Sequence, residues 1–246
     1  MEEGKVLKFG KWNVKPKVRG LEDMKRVLYD SKWASSAVDE PAYFMYRDLA
    51  LDEDDRECIE KERLRYDITV IPPKKLGVEY AKTLGHYHPK PEKQSASYPE
   101  VYQVLEGEAH YLLQMKEGDR ITDAILVRAK KGDNVLIPPD YGHVTINPSS
   151  RVLKMANWVC RGFESDYRDF ISKRGGVYFE LKNKNFVANK RYGMVPKLRF
   201  LKPASLASLG LKKGRSLYSL VDSLDRLDFL KNPDRYLDLL RLAYRH

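Results

Sequence analysis

Three of the five histidines in this 246-residue chain lie in two segments whose spacing suits metal binding. His86 and His88 are two residues apart, and on a β-strand that spacing directs both imidazoles to one face. Glu100 opens a run rich in strand-forming residues, and His143 lies within residues 132–147. Three imidazoles and one carboxylate suit a divalent transition metal with open coordination positions. The sequence therefore predicts a metal site at His86, His88, Glu100 and His143.

Short strands are the elements that must position these side chains. From residue 64 onward, runs of strand-forming residues alternate with turns such as Pro-Pro, Glu-Gly-Glu, Lys-Gly-Asp and Asn-Pro-Ser-Ser. The predicted strands are Leu64 to Ile71, Val78 to His88, Val101 to Leu105, Ala109 to Met115, Asp123 to Ala129, Asn134 to Ile137, Val144 to Ile146 and Val152 to Val159. Strands of this length and spacing favour a mainly β fold, an antiparallel sandwich or barrel.

Composition and periodicity divide the chain into three predicted regions. Residues 1–40 contain a basic extended arm and then a helix over residues 20–30, and residues 41–192 form the β-rich part. Residues 193–246 carry helical periodicity and are predicted to form a helical C-terminal extension. Its leucines need a partner face, so we expect the extension to dock on the β-rich part or on another subunit.

Three shorter elements complete this prediction. Residues 51–63 are highly charged and are predicted to form a surface turn or loop. Residues 165–171 are predicted to form a short helix with Ser165 as its N-cap. Within the extension, a helix is predicted to start at Pro233 with Asn232 as its N-cap.

The composition narrows the class of protein. With 42% hydrophobic and 33% charged residues, the chain matches a globular protein long enough to bury a core. Its two cysteines, Cys58 and Cys160, give no disulfide framework, and no segment reads as a signal peptide or membrane span. A reduced, cytoplasmic setting is therefore expected.

The net charge of +10 has several possible meanings. It suits nucleic acid, anionic lipid or an anionic small substrate, and it also suits a solvated basic surface with no partner. The sequence has no run of five basic residues, no zinc-finger spacing and no helix-turn-helix signal. We therefore expect neither nucleic acid nor a membrane as a partner.

The metal-binding segments resemble the two motifs of the cupin superfamily. The first motif is a His-x-His pair, then a glutamate, then a glycine seven residues further on, and the interval from Glu100 to Gly107 fits it. Glu92 fits the usual short gap after the histidines, but it lies in a proline-rich loop with no strand to direct it. The second motif is matched by Gly132, Pro138, His143 and Asn147, with Asp140 where the superfamily usually has glycine. The resemblance implies a cupin barrel, that is, a jelly roll or double-stranded β-helix, with Glu100 as the carboxylate ligand.

Within the cupins, the chain is similar to the archaeal type of phosphoglucose isomerase. The similar features are Thr-x-Gly-His-x-His, Pro-Glu-Val-Tyr, Leu-Leu-Gln at 112–114 and Val-x-Ile-Pro-Pro at 135–139, within a match over roughly residues 40–192. This resemblance implies a homodimeric enzyme of glycolysis and gluconeogenesis that interconverts glucose 6-phosphate and fructose 6-phosphate. It also implies one divalent metal ion per chain, with iron, zinc, manganese and nickel left open.

The same resemblance implies roles for further residues. Glu100 is the candidate base that carries a proton between C1 and C2 through a cis-enediol, with a metal-assisted hydride shift as the alternative. The other candidate contacts are Thr69, Thr83 and Gly85 for the phosphate and Tyr43 or Tyr46, together with Tyr102, for the sugar. On a straight strand, positions 83 and 85 would face away from His86 and His88. The prediction therefore requires a bulge or a strand end near Gly85.

Two departures from the family pattern keep other functions open. That pattern places a tyrosine and then a histidine near the sugar after the strand that ends at Val159. Here Trp158 stands at the corresponding place, and no histidine occurs between His143 and His246. A non-catalytic cupin that binds metal or a sugar phosphate, and another metal-cupin enzyme such as a dioxygenase, are therefore the alternatives. His110, at the start of a strand, is predicted to be structural.

Overall fold

The computed structural model describes residues 5–244, and β-strands dominate it. The strands are β1 (Leu7–Phe9), β2 (Trp12–Val14), β3 (Lys17–Gly20), β4 (Pro41–Tyr46), β5 (Leu64–Ile71), β6 (Lys75–Leu76), β7 (Glu79–Lys82), β8 (Glu100–Glu106), β9 (Glu108–Glu117), β10 (Arg120–Lys130), β11 (Asn134–Ile137), β12 (Tyr141–Asn147), β13 (Leu153–Cys160), β14 (Tyr178–Glu180), β15 (Phe186–Ala188) and β16 (Arg199–Leu201). Within this part of the chain, no helix has the length and apolar character of a membrane span.

Two six-stranded sheets form the body of the molecule. The first has the order β16-β10-β9-β12-β7-β6, and the second has the order β11-β8-β13-β5-β4-β3. From β10 to β13, successive strands alternate between the two sheets, which is how a jelly roll is wound. The ladders of β8 to β13 are antiparallel, whereas β16 pairs with β10 in parallel. The prediction of a mainly β jelly roll is confirmed.

The second sheet is covered on both faces. On its inner face, Met155 packs in the core between the sheets. On its outer face, Trp158 packs in a second core with Leu217, Leu227 and other leucines of the C-terminal segment. The Trp158 indole N–H donates a hydrogen bond to the Leu217 carbonyl oxygen at 2.9 Å. The leucines of the C-terminal segment thus find their partner face on the chain's own β-rich part.

Short helices connect and cover the sheets. The α-helices are α1 (Leu21–Met24), α2 (Ser31–Ser36), α3 (Glu53–Lys61), α4 (Arg168–Ser172) and α5 (Leu237–Leu242). Segments of 3₁₀ helix span Lys25–Val27, Lys190–Tyr192, Ala207–Leu209, Leu217–Leu230 and Pro233–Tyr236, with a kink at Ser223 in the long one. The tight 3₁₀ geometry shows that packing on the second sheet, rather than helix propensity, shapes the C-terminal segment.

Two predicted segments have a different structure. Residues 51–63, predicted as a turn or loop, form α3, because the Asp52 carboxylate caps the backbone N–H of Asp55. Acidic residues fill the first turn of α3, where they interact favourably with the helix dipole. The described part of the predicted N-terminal arm forms strands instead, and β3 joins the second sheet through β4.

The predicted helix caps and the C-terminal extension also need correction. Helix α4 begins at Arg168, and its N-cap is Tyr167 rather than Ser165. Pro233 does start a 3₁₀ helix after Asn232, but the Asn232 side chain donates to Asp228 and caps nothing. The extension begins with a strand, β16, at the edge of the first sheet.

Candidate metal centre

The four predicted ligands come from three places in the two sheets. Glu100 starts β8 and His143 lies on β12. His86 and His88 follow β7, and His86 exchanges backbone hydrogen bonds with His143 at 3.2 and 3.0 Å. Antiparallel pairing therefore brings His86 and His143 together, although they are 57 residues apart in the sequence.

The ligand atoms converge on one point. The nearest imidazole nitrogens and carboxylate oxygen of His86, His88, Glu100 and His143 all lie within 4.8 Å of one another. The Nε2 atoms of His86 and His88 are 3.1 Å apart, and Oε2 of Glu100 is 3.6 Å from Nε2 of His88 and 3.4 Å from Nε2 of His143. Two ligands bonded at about 2.1 Å to one ion at a right angle are about 3 Å apart. The donor set fits a divalent transition metal.

Hydrogen bonding supports this assignment for His88. Its Nδ1 is 2.9 Å from the carbonyl oxygen of Tyr98, so Nδ1 carries the proton and donates it. The lone pair of Nε2 then faces the other ligands, in the arrangement typical of metal-binding histidines. Phe163 packs on the same imidazole, with ring centroids 4.8 Å apart.

Burial sets the protonation of the cluster before a metal binds. It lowers the pKa of His88 to about 4, and together with the neighbouring imidazoles it lowers the pKa values of His86 and His143 well below 6.5. Burial also raises the pKa of Glu100 to about 8, against the opposing influence of Tyr102 and Arg47. Near neutral pH, the three imidazoles are thus neutral and Glu100 is mostly protonated.

A cavity between the sheets opens onto the four ligands. Of the predicted substrate contacts, Tyr43, Thr69, Thr83 and Tyr102 line it. The hydroxyl of Tyr102 is 3.5 Å from Nε2 of His143. Tyr46 does not line it, because its side chain belongs to the outer core and its hydroxyl donates to the Lys5 carbonyl oxygen.

Gly85 is not among the residues that line the cavity, and its contact with the phosphate stays a prediction. Strand β7 ends at Lys82, and Gly85 has a φ of +87°. The strand therefore ends near Gly85, as the sequence analysis required. A Cβ atom at Gly85 would lie 2.5 Å from the Phe170 ring and 2.7 Å from Val144. The glycine therefore lets the chain turn against the core, so that the next residue, His86, reaches the metal site.

We expect Gly85→Ala to lower the free energy of unfolding by about 2–4 kcal/mol, from left-handed backbone strain and overpacking together. Urea unfolding of the chelator-treated protein would measure this. Gly118→Ala is the matched control, since its φ is +59° but no atom lies within 4 Å of the added Cβ. Its expected cost is about 1–2 kcal/mol, from strain alone. Equal losses in the two variants would contradict the proposed packing at Gly85.

Trp158 is on the other side of the sheet from the cavity. The inward side chains of β13 are those of Met155, Asn157 and Val159, which line the cavity, whereas Trp158 is wholly buried in the outer core. Trp158 therefore cannot stand in for a tyrosine that contacts sugar. Phe163, Ser165 and Tyr167, from the segment after β13, line that part of the cavity instead.

Several cavity residues were missed by the sequence analysis. They are Arg47, Arg65, Asn157, Phe163 and Tyr167. Arg65 has the same strand parity as Thr69 on β5, so alternation alone would have placed its side chain on the cavity face. Two other residues lie elsewhere: Glu92 is exposed in its loop, and His110 Nδ1 pairs with the Glu180 carboxylate at 2.9 Å, outside the metal cluster.

Comparison with solved structures gives only distant likenesses. An oxalate decarboxylase from Lactobacillus farciminis, solved as a formate complex, aligns with a TM-score of 0.37 and 18% identity. The alignment covers 51% of this chain and 30% of that one. The fold assignment here rests on sheet topology, not on this likeness.

Comparison with protein sequences gives closer relatives. The glucose-6-phosphate isomerase of Thermococcus litoralis is 33% identical over 139 residues, which are 56% of this chain and 66% of that protein. The enzyme of the same name from Pyrococcus furiosus is 32% identical over 133 residues, which are 54% of this chain and 64% of that protein. The matches span just under two thirds of these relatives. The model of the glucose-6-phosphate isomerase (GPI) family matches residues 18–197, which are most of the chain, and the chain belongs to that family.

Proposed function

We propose that this chain is a metal-dependent aldose–ketose isomerase that interconverts glucose 6-phosphate and fructose 6-phosphate. The observation that carries the proposal is the convergence of three imidazoles and a carboxylate beside a cavity, in a chain of the GPI family. The relatives from Thermococcus and Pyrococcus are named glucose-6-phosphate isomerase, which supports the choice of substrate.

The metal ligands in this proposal are His86, His88, Glu100 and His143, and they hold one divalent ion per chain. Iron, zinc, manganese and nickel all accept this mixture of imidazole and carboxylate ligands. Such an ion, when bound, polarises a carbonyl group and stabilises negative charge on the neighbouring oxygens.

Glu100 and Tyr102 are the proposed catalytic residues. They point to the same face of β8, and both line the cavity. The Glu100 carboxylate is buried and lines the cavity, where it can take a proton from one carbon of a bound sugar and return it to the other. In our proposal it moves the proton between C1 and C2 while the Tyr102 hydroxyl orients the sugar. A hydride shift is the alternative, and deuterium incorporation from heavy water at C1 or C2 would separate the two.

Substrate binding is proposed for three further cavity residues. Thr69 and Thr83 offer hydroxyl groups from opposite sheets, on β5 and just after β7. The Tyr43 hydroxyl accepts a long hydrogen bond, at 3.4 Å, from the backbone N–H of Leu84, and Tyr43 lines the cavity. Phe163 and Tyr167 line the cavity beside these groups.

Metal removal tests the proposed function. We expect a chelator to abolish turnover of fructose 6-phosphate in a coupled assay, and one equivalent of a suitable divalent ion to restore it. An absence of turnover with every added divalent metal would defeat the proposal. Sugar-phosphate binding without turnover would indicate a non-catalytic cupin, and oxygen uptake with a small thiol or phenol would indicate a dioxygenase.

We further propose that the chain works as a homodimer in the cytoplasm, in glycolysis or gluconeogenesis. The edge strand β3 leaves Val18 47% exposed, which supports pairing with a second copy. Light scattering of the purified protein would test the dimer, and a monomer at micromolar concentration would contradict it.

A further inference from the structure

The loop between His88 and β8, residues 89–99, positions two of the proposed metal ligands. The Tyr98 carbonyl oxygen accepts the hydrogen bond from His88 Nδ1 at 2.9 Å. The Tyr98 ring stacks on Phe163, with centroids 4.7 Å apart and planes at 9°, and Phe163 in turn packs on the His88 imidazole. Glu100 follows Tyr98 by two residues. The place of Tyr98 therefore sets the orientation of His88 and the start of the strand that carries Glu100.

This loop needs support from outside itself. Residues 89–99 form neither a helix nor a strand in the described chain. Within the loop, the Tyr98 N–H donates to the Pro89 carbonyl oxygen at 3.0 Å, and the Gln94 N–H donates to that of Pro91 at 3.2 Å. Ala96 is nevertheless wholly buried, and Ser97 is only 5% exposed. The backbone N–H groups of such a buried stretch require partners from other parts of the chain.

Asp234, in the 3₁₀ segment Pro233–Tyr236, supplies these partners. Its carboxylate accepts hydrogen bonds from the Ser95 backbone N–H at 2.8 Å, the Ser95 hydroxyl at 3.0 Å and the Ala96 backbone N–H at 3.0 Å. These bonds, with that of the Ser95 N–H the strongest among them, lower the pKa of the Asp234 carboxyl. The loop is thus held by an ionised carboxylate, which makes stronger hydrogen bonds than a neutral acceptor.

Gln94 makes a second contact with the same segment. Its Nε2 donates to the Lys231 carbonyl oxygen at 3.0 Å, and its Oε1 accepts the Asp234 backbone N–H at 3.3 Å. The segment is itself fixed, because Lys231 Nζ pairs with Glu62 at 2.6 Å and Leu230 is buried in the outer core. The loop is therefore joined to an anchored part of the molecule.

The far side of the loop contacts the turn that leads to the third histidine. The Ser97 backbone N–H donates to Asp140 Oδ1 at 3.1 Å, and the Asp140 backbone N–H donates to the Ser97 hydroxyl oxygen at 2.6 Å. Asp140 immediately precedes β12, which carries His143. The loop thus connects the C-terminal segment with the backbone of all three ligand-bearing stretches.

We propose that Asp234 is a positioning residue for the metal centre, which holds the Tyr98 carbonyl against His88 and the start of β8 at Glu100 by fixing loop 89–99. This inference rests on the metal site of the proposed function. Asp234 belongs neither to the ligand set nor to the cavity lining. The family model matches residues 18–197 and does not reach Asp234. The C-terminal segment therefore adds a constraint on the metal site that the family match does not assign.

The test uses the full-length protein with Co²⁺ alone as the probe, so that it does not depend on isomerase activity. Loss of an outer partner of a metal-bound histidine typically weakens metal binding by about 10- to 100-fold. Because Asp234 acts one step further out, we expect Asp234→Ala to raise the Kd for Co²⁺ and its rate of release to a chelator by roughly tenfold. The visible absorption bands of bound Co²⁺, which report the ligand geometry, should shift. Asp234→Asn keeps one acceptor oxygen and should lie between Asp234→Ala and the wild type.

Asp238→Ala is the matched control. Asp238 is an exposed carboxylate on α5, so the variant removes the same charge from the same end of the chain. Its Co²⁺ affinity, release rate and absorption spectrum should stay within twofold of the wild type. A folded Asp234→Ala protein with wild-type affinity, release rate and spectrum would overturn the proposal, even if it unfolds at a lower urea concentration.

A variant on the loop side covers the case in which Asp234→Ala fails to fold. Gln94→Ala removes the two hydrogen bonds of the second contact and leaves the Asp234 carboxylate in place. Since those bonds join neutral groups, we expect a rise in the Co²⁺ Kd of about threefold. The effects of Gln94→Ala and Asp234→Ala should combine to less than their product, because both act on one loop. A folded Gln94→Ala protein that binds Co²⁺ as the wild type does would refute the role of the contact.

The outcomes separate the positioning role from the isomerase activity. If Co²⁺ binding depends on Asp234 but the wild type turns over no fructose 6-phosphate with any metal, the activity is refuted and the positioning role stands. If the wild type is active but Asp234→Ala keeps wild-type Co²⁺ binding and spectrum, the positioning role is refuted and the activity stands. A wild-type protein that binds no Co²⁺ refutes the positioning role.

Discussion

Glu100→Ala is expected to abolish isomerase activity and metal binding together, with a loss in kcat of roughly three orders of magnitude or more. Glu100 is the one acidic member of the donor cluster, and its carboxylate balances part of the charge of a divalent ion. Without it, three neutral imidazoles remain in a buried site, and the proposed proton carrier is also gone. Metal content by elemental analysis and turnover in the coupled assay would measure both losses.

Glu92→Ala is the matched control for this prediction. Both glutamates follow the histidine pair, but Glu92 is exposed in its loop whereas Glu100 is buried at the start of β8. The Glu92 variant should retain wild-type metal content and turnover. A loss confined to Glu92→Ala would show that the wrong carboxylate was assigned to the site. Activity in Glu100→Ala with metal still bound would instead show that neither role belongs to Glu100.

Part of the metal cluster could be predicted because it follows from local rules. Strand parity put Glu100 and Tyr102 on one face, and both side chains do line the cavity. His86 and His88 also point together, although their backbone lies beyond the end of β7. The convergence of His143 with them depends on strand pairing over a long range, which residue spacing alone does not specify.

Strand β13 shows why the sequence does not always indicate which side chains of a strand point into the cavity. Apolar residues occur on both of its faces, and seven of its eight residues are buried. Where both faces of a strand are covered, the hydrophobic pattern does not indicate which side chains point inward. The family pattern set Trp158 at the place of a tyrosine near the sugar, whereas its side chain packs against the C-terminal segment on the outer face. The C-terminal segment that packs on Trp158 lies outside the residues matched by the family model.

Arg47 and Arg65, which line the cavity, were missed for a different reason. Arg47 follows the last residue of β4, so no strand pattern extends to it. Asp67 is a buried charged residue of β5, and its burial is possible only because two guanidinium groups, those of Arg47 just after β4 and of Arg65 on β5, pair with it. Sequence shows each charge separately, while their pairing depends on the strand register.

Metal affinity is expected to fall steeply with pH below about 8, because a bound Glu100 must be deprotonated. Without metal, the pKa of Glu100 is about 8, whereas His88 has a pKa of about 4 and the other two imidazoles also resist protonation. Between these values, each ion that binds releases close to one proton, and that proton comes from Glu100. The apparent association constant should therefore drop about 50-fold from pH 8 to pH 6 and level off above pH 8. Below about pH 5, protonation of the imidazoles should make the decline steeper.

Competition with a chromophoric chelator across this pH range would measure the affinity, and calorimetry in buffers of different ionisation enthalpy would count the released protons. Glu100→Gln is the control, since it keeps the size of the side chain but removes the titrating proton. Its weaker binding should vary little between pH 6 and pH 8, because the imidazoles of His86, His88 and His143 remain neutral there. An affinity of the wild type that stays constant from pH 6 to pH 8 would mean that Glu100 is already ionised before metal binds. The raised pKa would then have no part in metal uptake.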